Sequence, residues 1–311
     1  MSSSAEALTP VPTQPIATSS GRRSEFSAVE DEPRRRPSLG RRLLGNGPAL
    51  ASFLFLVLLV LVSLTAPWLA PYSPIEQDIS QALQAPSWQH WLGMDDLGRD
   101  VLSRLLWGTS NSLYASVLAV STGIVLGVPL GLLIGFVGGR VDEVVSRLID
   151  ALLAFPPIVL AIAVTGVLGI GLTNAMLAVG FVFAPHLTRL ARAQTLVVKS
   201  SLYIEAARSA GATNLQIVLR HVLPNAIQPV LVQVTLMLAI ALLAEASLSF
   251  LSLGVQPPAA SWGGMLARAY SYLELAPGQM YAPGIAIGLT ALAFNTLGEF
   301  LRAALDPTHQ G

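Results

Sequence analysis

The side chains able to do chemistry in this 311-residue chain are few and widely scattered. There is no cysteine, which excludes thiolate catalysis and disulfides. The four histidines, His90, His186, His221 and His309, do not fall at the spacings of zinc sites, so no metal ligands are expected. Lys199 is the only lysine, and no glycine lies in the six residues before it, so there is no Walker-type phosphate loop. No catalytic residue is expected. Any energy from ATP must come through another polypeptide.

Three arrangements remain. Asp95, Asp96, Arg99, Asp100 and Arg104 form a charged run between two apolar stretches. Asp100 is placed to cap a helix lying at the outer surface, with Arg104 four residues on to pair with it. Glu245 stands inside the apolar run LLAEASLSFLSLGV. An ionisable residue at membrane depth is costly and is first read as functional. Two readings are open for it: a structural carboxylate bonded to Ser247 or a neighbouring helix, or a contact on a water-filled pathway. No second carboxylate or histidine chain accompanies it, which argues against a proton-driven pump.

The third arrangement is residues 200–225, the longest polar interruption in the second half of the chain. Its pattern predicts two short helices. Residues 201–210 are mostly good helix formers, and Gly211 stands where a helix ends in a left-handed turn. Thr213 and Gln216 have capping-box spacing. Leu215, Val218, Leu219 and Val222 then share one helical face, and Pro224 is expected to stop the helix. Ala206, Ala207, Ala210 and Gly211 make a surface of small residues that permits close approach by another backbone. The segment is either a hairpin packed on its own domain or a docking element for a cytosolic partner.

The elements that must position these groups are membrane spans. The chain is 53% hydrophobic and 12% charged, against roughly 25% charged in soluble domains. Lipid is therefore an expected partner, and nucleic acid is not. Residues 1–44, rich in Ser, Pro and Arg, are expected to be disordered. Six apolar segments follow: residues 49–70, 113–137, 144–168, 171–190, 227–253 and 282–301. The third contains Pro156-Pro157, so a kink is expected near Phe155. Arg147 and Asp150 at its start are spaced for a local ion pair. The second carries Gly123, Gly127, Gly131, Gly135 and, just beyond it, Gly139: a glycine at every fourth position. Such a stripe allows close helix packing, either within this chain or at a seam with a second subunit. Six spans put both termini on one side. Fifteen of the basic residues then share that side with residues 200–225 and three lie opposite, which makes the termini and this loop cytoplasmic.

Glu205-Ala206-Ala207, then Gly211, then Leu223-Pro224 resembles the coupling loop of the integral membrane subunits of ABC importers. Leu92-Gly93-Met94-Asp95, followed by Gly98-Arg99-Asp100, resembles a signature of the C-type subunits of dipeptide and oligopeptide importers, with Met94 where threonine is common. Ala154-Phe155-Pro156, the run Glu245 to Phe250, Gly254-Val255-Gln256-Pro257-Pro258, the run Trp262 to Leu266 and Leu305-Asp306-Pro307 are similar to the same branch. The resemblance covers about residues 45–307.

It implies an all-α polytopic membrane protein of type I ABC importer architecture with about six helices, in a bacterial inner membrane. The implied segments are a tail (1–44), a first helix with an extracytoplasmic segment (45–111), a permease domain (112–307) and a short C-terminal tail (308–311). It also implies partners: a related B-type permease, two ATPase subunits or one two-domain ATPase carrying the ATP and magnesium, and an extracytoplasmic peptide-binding protein. No cofactor is implied in this chain. Glu205, Ala206, Ala207, Ala210, Gly211, Leu215 and Pro224 would form the ATPase-coupling surface. Asp95, Arg99, Asp100 and Trp262 are candidate contacts for the binding protein. Nickel, glutathione or another small solute is an alternative cargo. Different-class alternatives are an autonomous secondary transporter, an intramembrane enzyme and a structural scaffold subunit.

Overall fold

The structure, a computed structural model, describes residues 39–305. The expected tails outside those limits, and Asp306-Pro307, lie beyond the described residues. A short helix α1 (Leu39–Leu44) begins inside the segment expected to be disordered and leads into α2 (Gly47–Leu69). Asn46 caps α2 by accepting from the Ala49 N–H at 3.1 Å, and Pro48 sits in its first turn, where no N–H is missed. Most of α2 is exposed apolar surface, as expected of a helix facing lipid, and its buried residues are Ala49 and Ala66.

The second long helix, α3, runs Val101–Val137, twelve residues earlier than the apolar pattern predicts. Asp100 is its N-cap, accepting from Ser103 N–H at 2.8 Å. The expected helix at the outer surface is therefore the first turns of α3, and the boundary expected at 111/112 falls inside a continuous helix. Gly138, at φ +72°, ends it and turns the chain into α4 (Gly139–Leu153).

The third expected span is two helices. Amphipathic α4 meets apolar α5 (Pro157–Leu168) at 96°. Consecutive prolines remove two main-chain donors, so the chain breaks where a single proline would bend it. Alone, α5 is about 18 Å long and cannot cross a hydrocarbon core of roughly 30 Å. The predicted Arg147–Asp150 pair does not form: Arg147 pairs with Glu143, and Asp150 with Arg189 of the next helix. That helix, α6 (Leu172–Lys199), contains the fourth expected span and also bonds to α4 through Arg192 and Asp142.

Helices α7 (Leu202–Ser209) and α8 (Asn214–Ile217) form the hairpin. Residues Val218–Val222 make one π-helical turn into α9 (Leu223–Phe250), so Asn214–Phe250 is a continuous rod. Pro224 does not stop it. The wider turn takes up a ring that would clash with the carbonyl four residues back, and the Leu223 N–H reaches the Val218 carbonyl, five residues back. An outer connection holds α10 (Trp262–Ser271), and α11 (Tyr281–Leu305) completes the bundle. Among the described residues four helical stretches are long and apolar enough to cross a membrane, or five if α4 and α5 count as one broken span. Helix α6 is long enough but more polar, carrying Asn174, His186, Arg189 and Arg192.

The core is the α3–α6 seam. A Cβ at Gly127 would lie 2.5 Å from the Ala184 carbonyl oxygen, and one at Gly131 would lie 2.4 Å from that of Thr188. Gly123 and Gly135 meet Phe183 and Thr195 in the same way, and Gly180 of α6 returns the fit against Ala119 and Thr122. The stripe is thus used within this chain. Gly139 is not part of it: it follows the turn at Gly138, has φ +62° and meets nothing within 4 Å.

Candidate functional site

At one end of the bundle the hairpin stands on three fully buried side chains, Ile204, Ile217 and Val222, which join the main core. Each contributes about 1.5–3 kcal/mol by burial. Gly211, at φ +83°, closes α7 in a Schellman turn. Its N–H donates to Arg208 O at 2.9 Å, and Ala212 N–H donates to Ala207 O at 3.0 Å. The Thr213–Gln216 capping box forms as the sequence predicts, with both reciprocal bonds present. Lys199 Nζ donates to Phe136 O at 2.5 Å, and Lys199 and Arg208 both lie over the Phe136 ring, fixing the hairpin to the end of α3.

With the base pinned, the outer face is free. Glu205, Ala206, Ala210 and Gly211 are exposed and Ala207 half-buried. Leu215 is 68% exposed and Leu219 also projects outward, so the predicted apolar face divides: Val222 goes to the core, and Leu215 and Leu219 are left uncovered. The π turn between them rotates the register and accounts for the division. Pro224, at the start of α9, is exposed as well.

The opposite end is built from the charged run. Gly98 (φ +64°) approaches Asp78 so closely that a Cβ would lie 1.8 Å from its carbonyl oxygen. Arg99 Nε donates to Asp95 Oδ2 at 2.7 Å, and Arg268 of α10 reaches Asp96 at 3.1 Å. Arg104 does not pair with Asp100. It lies 3.4 Å from Asp95 and donates to Pro74 O at 2.7 Å, while Asp100 holds Ser103 and His90. Asp95, Arg99 (1% exposed), Asp100 and Trp262 (1% exposed) are all buried. These four hold the outer segments to the bundle and present almost no surface to a partner; the exposed aromatics here are Trp88 and Trp91. Removing Arg99 would take one cation from Asp95, which keeps Arg104, and one from Asp96, which keeps Arg268; the lost charge-assisted bond to Asp95 is worth about 1.5–3 kcal/mol. Arg99→Ala is therefore expected to lower the thermal midpoint of the solubilised protein and to expose residues 71–100 to protease. An unchanged midpoint would refute the bracing role.

Glu245 is fully buried near the outer end of α9. Its Oε1 accepts from Ser249 and Ser261 hydroxyls, both at 2.8 Å, and not from Ser247, which bonds to Leu243 O. Ser261 caps α10 through the Gly264 N–H, and Trp262 N–H donates to Ser112 of α3 at 3.0 Å. Oε2 rests against Gly263, where a Cβ would lie 2.7 Å away. The carboxylate thus ties α9 to the outer helix. Glu245→Gln keeps an acceptor for both serines and is expected to assemble and transport almost normally. Glu245→Ala leaves two buried hydroxyls unpaired, at about 1–3 kcal/mol, and is expected to lower assembly. Full assembly with abolished transport in the Gln variant would argue for a contact on the pathway.

The ion pairs Arg192–Asp142 and Arg189–Asp150 escaped the sequence reading because they join residues far apart in the chain. Among the described residues, basic side chains from the two groups lie at opposite ends of the bundle. Arg42 bonds to Ala304 O beside the hairpin end, and Arg99, Arg104 and Arg268 gather at the other.

A helical bundle of this length and apolarity, with an uncovered hairpin at one end and a braced outer segment at the other, is the build of a multi-pass membrane protein. Residues 127–309 match the family described as binding-protein-dependent transport system inner membrane component. Residues 39–86 match the N-terminal TM domain of oligopeptide transport permease C. Glutathione transport system permease protein GsiD of Escherichia coli O6:K15:H31 (strain 536 / UPEC) is 46% identical over 272 residues, 87% of this chain and 90% of that protein. Its namesake in Shigella boydii serotype 4 (strain Sb227) matches to the same extent. The inward-facing MetNI methionine ABC transporter shares the fold, with a TM-score of 0.54 at 22% identity over 65% of this chain and 97% of that one. The chain belongs to the binding-protein-dependent transport system inner membrane components, and within them to the C-type permeases of ABC importers.

Proposed function

We propose that this permease serves an ATP-driven importer of short peptides, a class that includes the tripeptide glutathione. Its relatives among glutathione permeases and the oligopeptide-permease match at residues 39–86 support that cargo. It would work beside a related B-type permease, two ATPase subunits or one two-domain ATPase holding the ATP and magnesium, and an extracytoplasmic peptide-binding protein. The hairpin end and the termini face the cytoplasm in this reading, which the grouping of basic residues supports.

The observation that carries the proposal is the hairpin's uncovered face on a rigid base. Glu205, Ala206, Ala207, Ala210, Gly211 and Leu215 form the surface gripped by the ATPase. Closure of the ATPase pair on ATP carries two such hairpins together and shifts the helix bundles toward an outward-facing state. Reconstitution tests this directly. Vesicles holding the complete complex and ATP should take up short peptides, and vesicles holding this chain alone should not. Uptake by the lone chain without nucleotide would replace the proposal with a secondary transporter.

A further inference from the structure

At the hairpin end of the bundle α6, α9 and α11 line an open cleft of about 410 Å³, within the roughly 300–1,000 Å³ usual for small-molecule sites. Helix α9 contributes Asn225, Gln228, Pro229 and Gln233, at i, i+3, i+4 and i+8, so one face of its first turns lines the space. Helix α6 adds Gln194 and α11 adds Arg302. Among the described residues the polar lining is thus four carboxamides and one cation, with no acidic residue.

Carboxamides offer donors and acceptors together. Asn225 Nδ2 is committed to His221 O at 2.6 Å, which points its own carbonyl capacity elsewhere. Pro229 has no N–H, so the Asn225 main-chain carbonyl lacks the donor that residue 229 would otherwise supply. Arg302 makes no ion pair among the described residues, and its planar guanidinium matches a carboxylate two bonds at a time. A ligand satisfying this lining needs alternating amide N–H and C=O groups and a terminal carboxylate. A solute bearing a net positive charge and no carboxylate would meet Arg302 unfavourably.

We propose that this cleft binds a short peptide by its main-chain amides and its C-terminal carboxylate, the carboxylate on Arg302. This inference rests on the peptide-importer reading and gives it a site in this chain. The test uses the complete transporter in nanodiscs, without the extracytoplasmic binding protein, and tritiated trialanine and trialanine amide as probes. Wild type should bind the free acid more tightly than the amide. Arg302→Gln should weaken trialanine about tenfold, the loss of one charge-assisted bond, and bring acid and amide level. Gln228→Leu with Gln233→Leu should weaken both probes alike. Retained preference for the acid in Arg302→Gln, or no trialanine binding by wild type, overturns the site. Uptake of trialanine by complete proteoliposomes separates the two ideas: uptake with unaltered binding in the variants removes only the site, and no uptake of any short peptide removes the importer reading as well.

Discussion

Gly131→Val is expected to abolish assembly of the permease. Its first added carbon would stand 2.4 Å from Thr188 O and 2.7 Å from Ala191 Cβ, both on α6. Backbone cannot step aside as a flexible side chain would, so the two helices must separate along their most extensive contact. Overpacking commonly costs about 1–3 kcal/mol, and a clash with main chain at the centre of the seam belongs at or above that upper end. Lipid offers α3 and α6 no hydrophobic penalty for parting, so the lost van der Waals fit is not recovered elsewhere. Gly131→Ala should show a smaller loss of the same sign. Gly166→Ala, in α5 with nothing within 4 Å, should behave as wild type. Fluorescence-detected size-exclusion of solubilised membranes reads all three, and a monodisperse Gly131→Val permease at wild-type yield would contradict the seam.

The second large effect falls on coupling and should leave the fold intact. Gly211 has no neighbour within 4 Å of an added Cβ, and aspartate is one of the few non-glycine residues that occasionally takes left-handed backbone. Gly211→Asp therefore costs the hairpin about 1–2 kcal/mol at most, against a base held by three buried aliphatic side chains. Leu215→Asp costs the isolated permease even less, since that side chain already faces outward. Both place a carboxylate on the surface proposed to meet the ATPase. Peptide uptake is expected to fall at least about tenfold, about 1.4 kcal/mol of lost docking, with normal membrane insertion and continuing ATP hydrolysis. Normal uptake by both variants would remove the hairpin from the coupling mechanism.

Much of this architecture was legible in the residues because local rules govern it. The Thr213–Gln216 box, the left-handed Gly211 and the cap at Asp100 need only a few neighbouring positions to be recognised. The glycine stripe was visible as a period of four, although only the fold shows that α6 is its partner and that Gly139 stands apart. What escaped depends on distant or compensating structure. Pro224 reads as a stop until a π turn absorbs it, and two prolines at 156–157 read as a bend until α4 is held by α6. The charged run suggested a surface for a partner, and Asp95, Arg99, Asp100 and Trp262 proved buried, because segments distant in sequence meet there: Arg268 bonds to Asp96, Gln279 to the Met94 carbonyl, and Trp262 to Ser112 and the Leu105 carbonyl.

The unbroken helical stretch Asn214–Phe250 has a mechanical corollary. At 1.5 Å per residue it is about 55 Å long, with the capping box at one tip and the carboxylate tether to α10 near the other. A stiff strut of that length cannot be pushed at its foot without displacing its head. A push on the hairpin would be felt in the outermost layer of the protein within the same movement, with no relay of intervening loops.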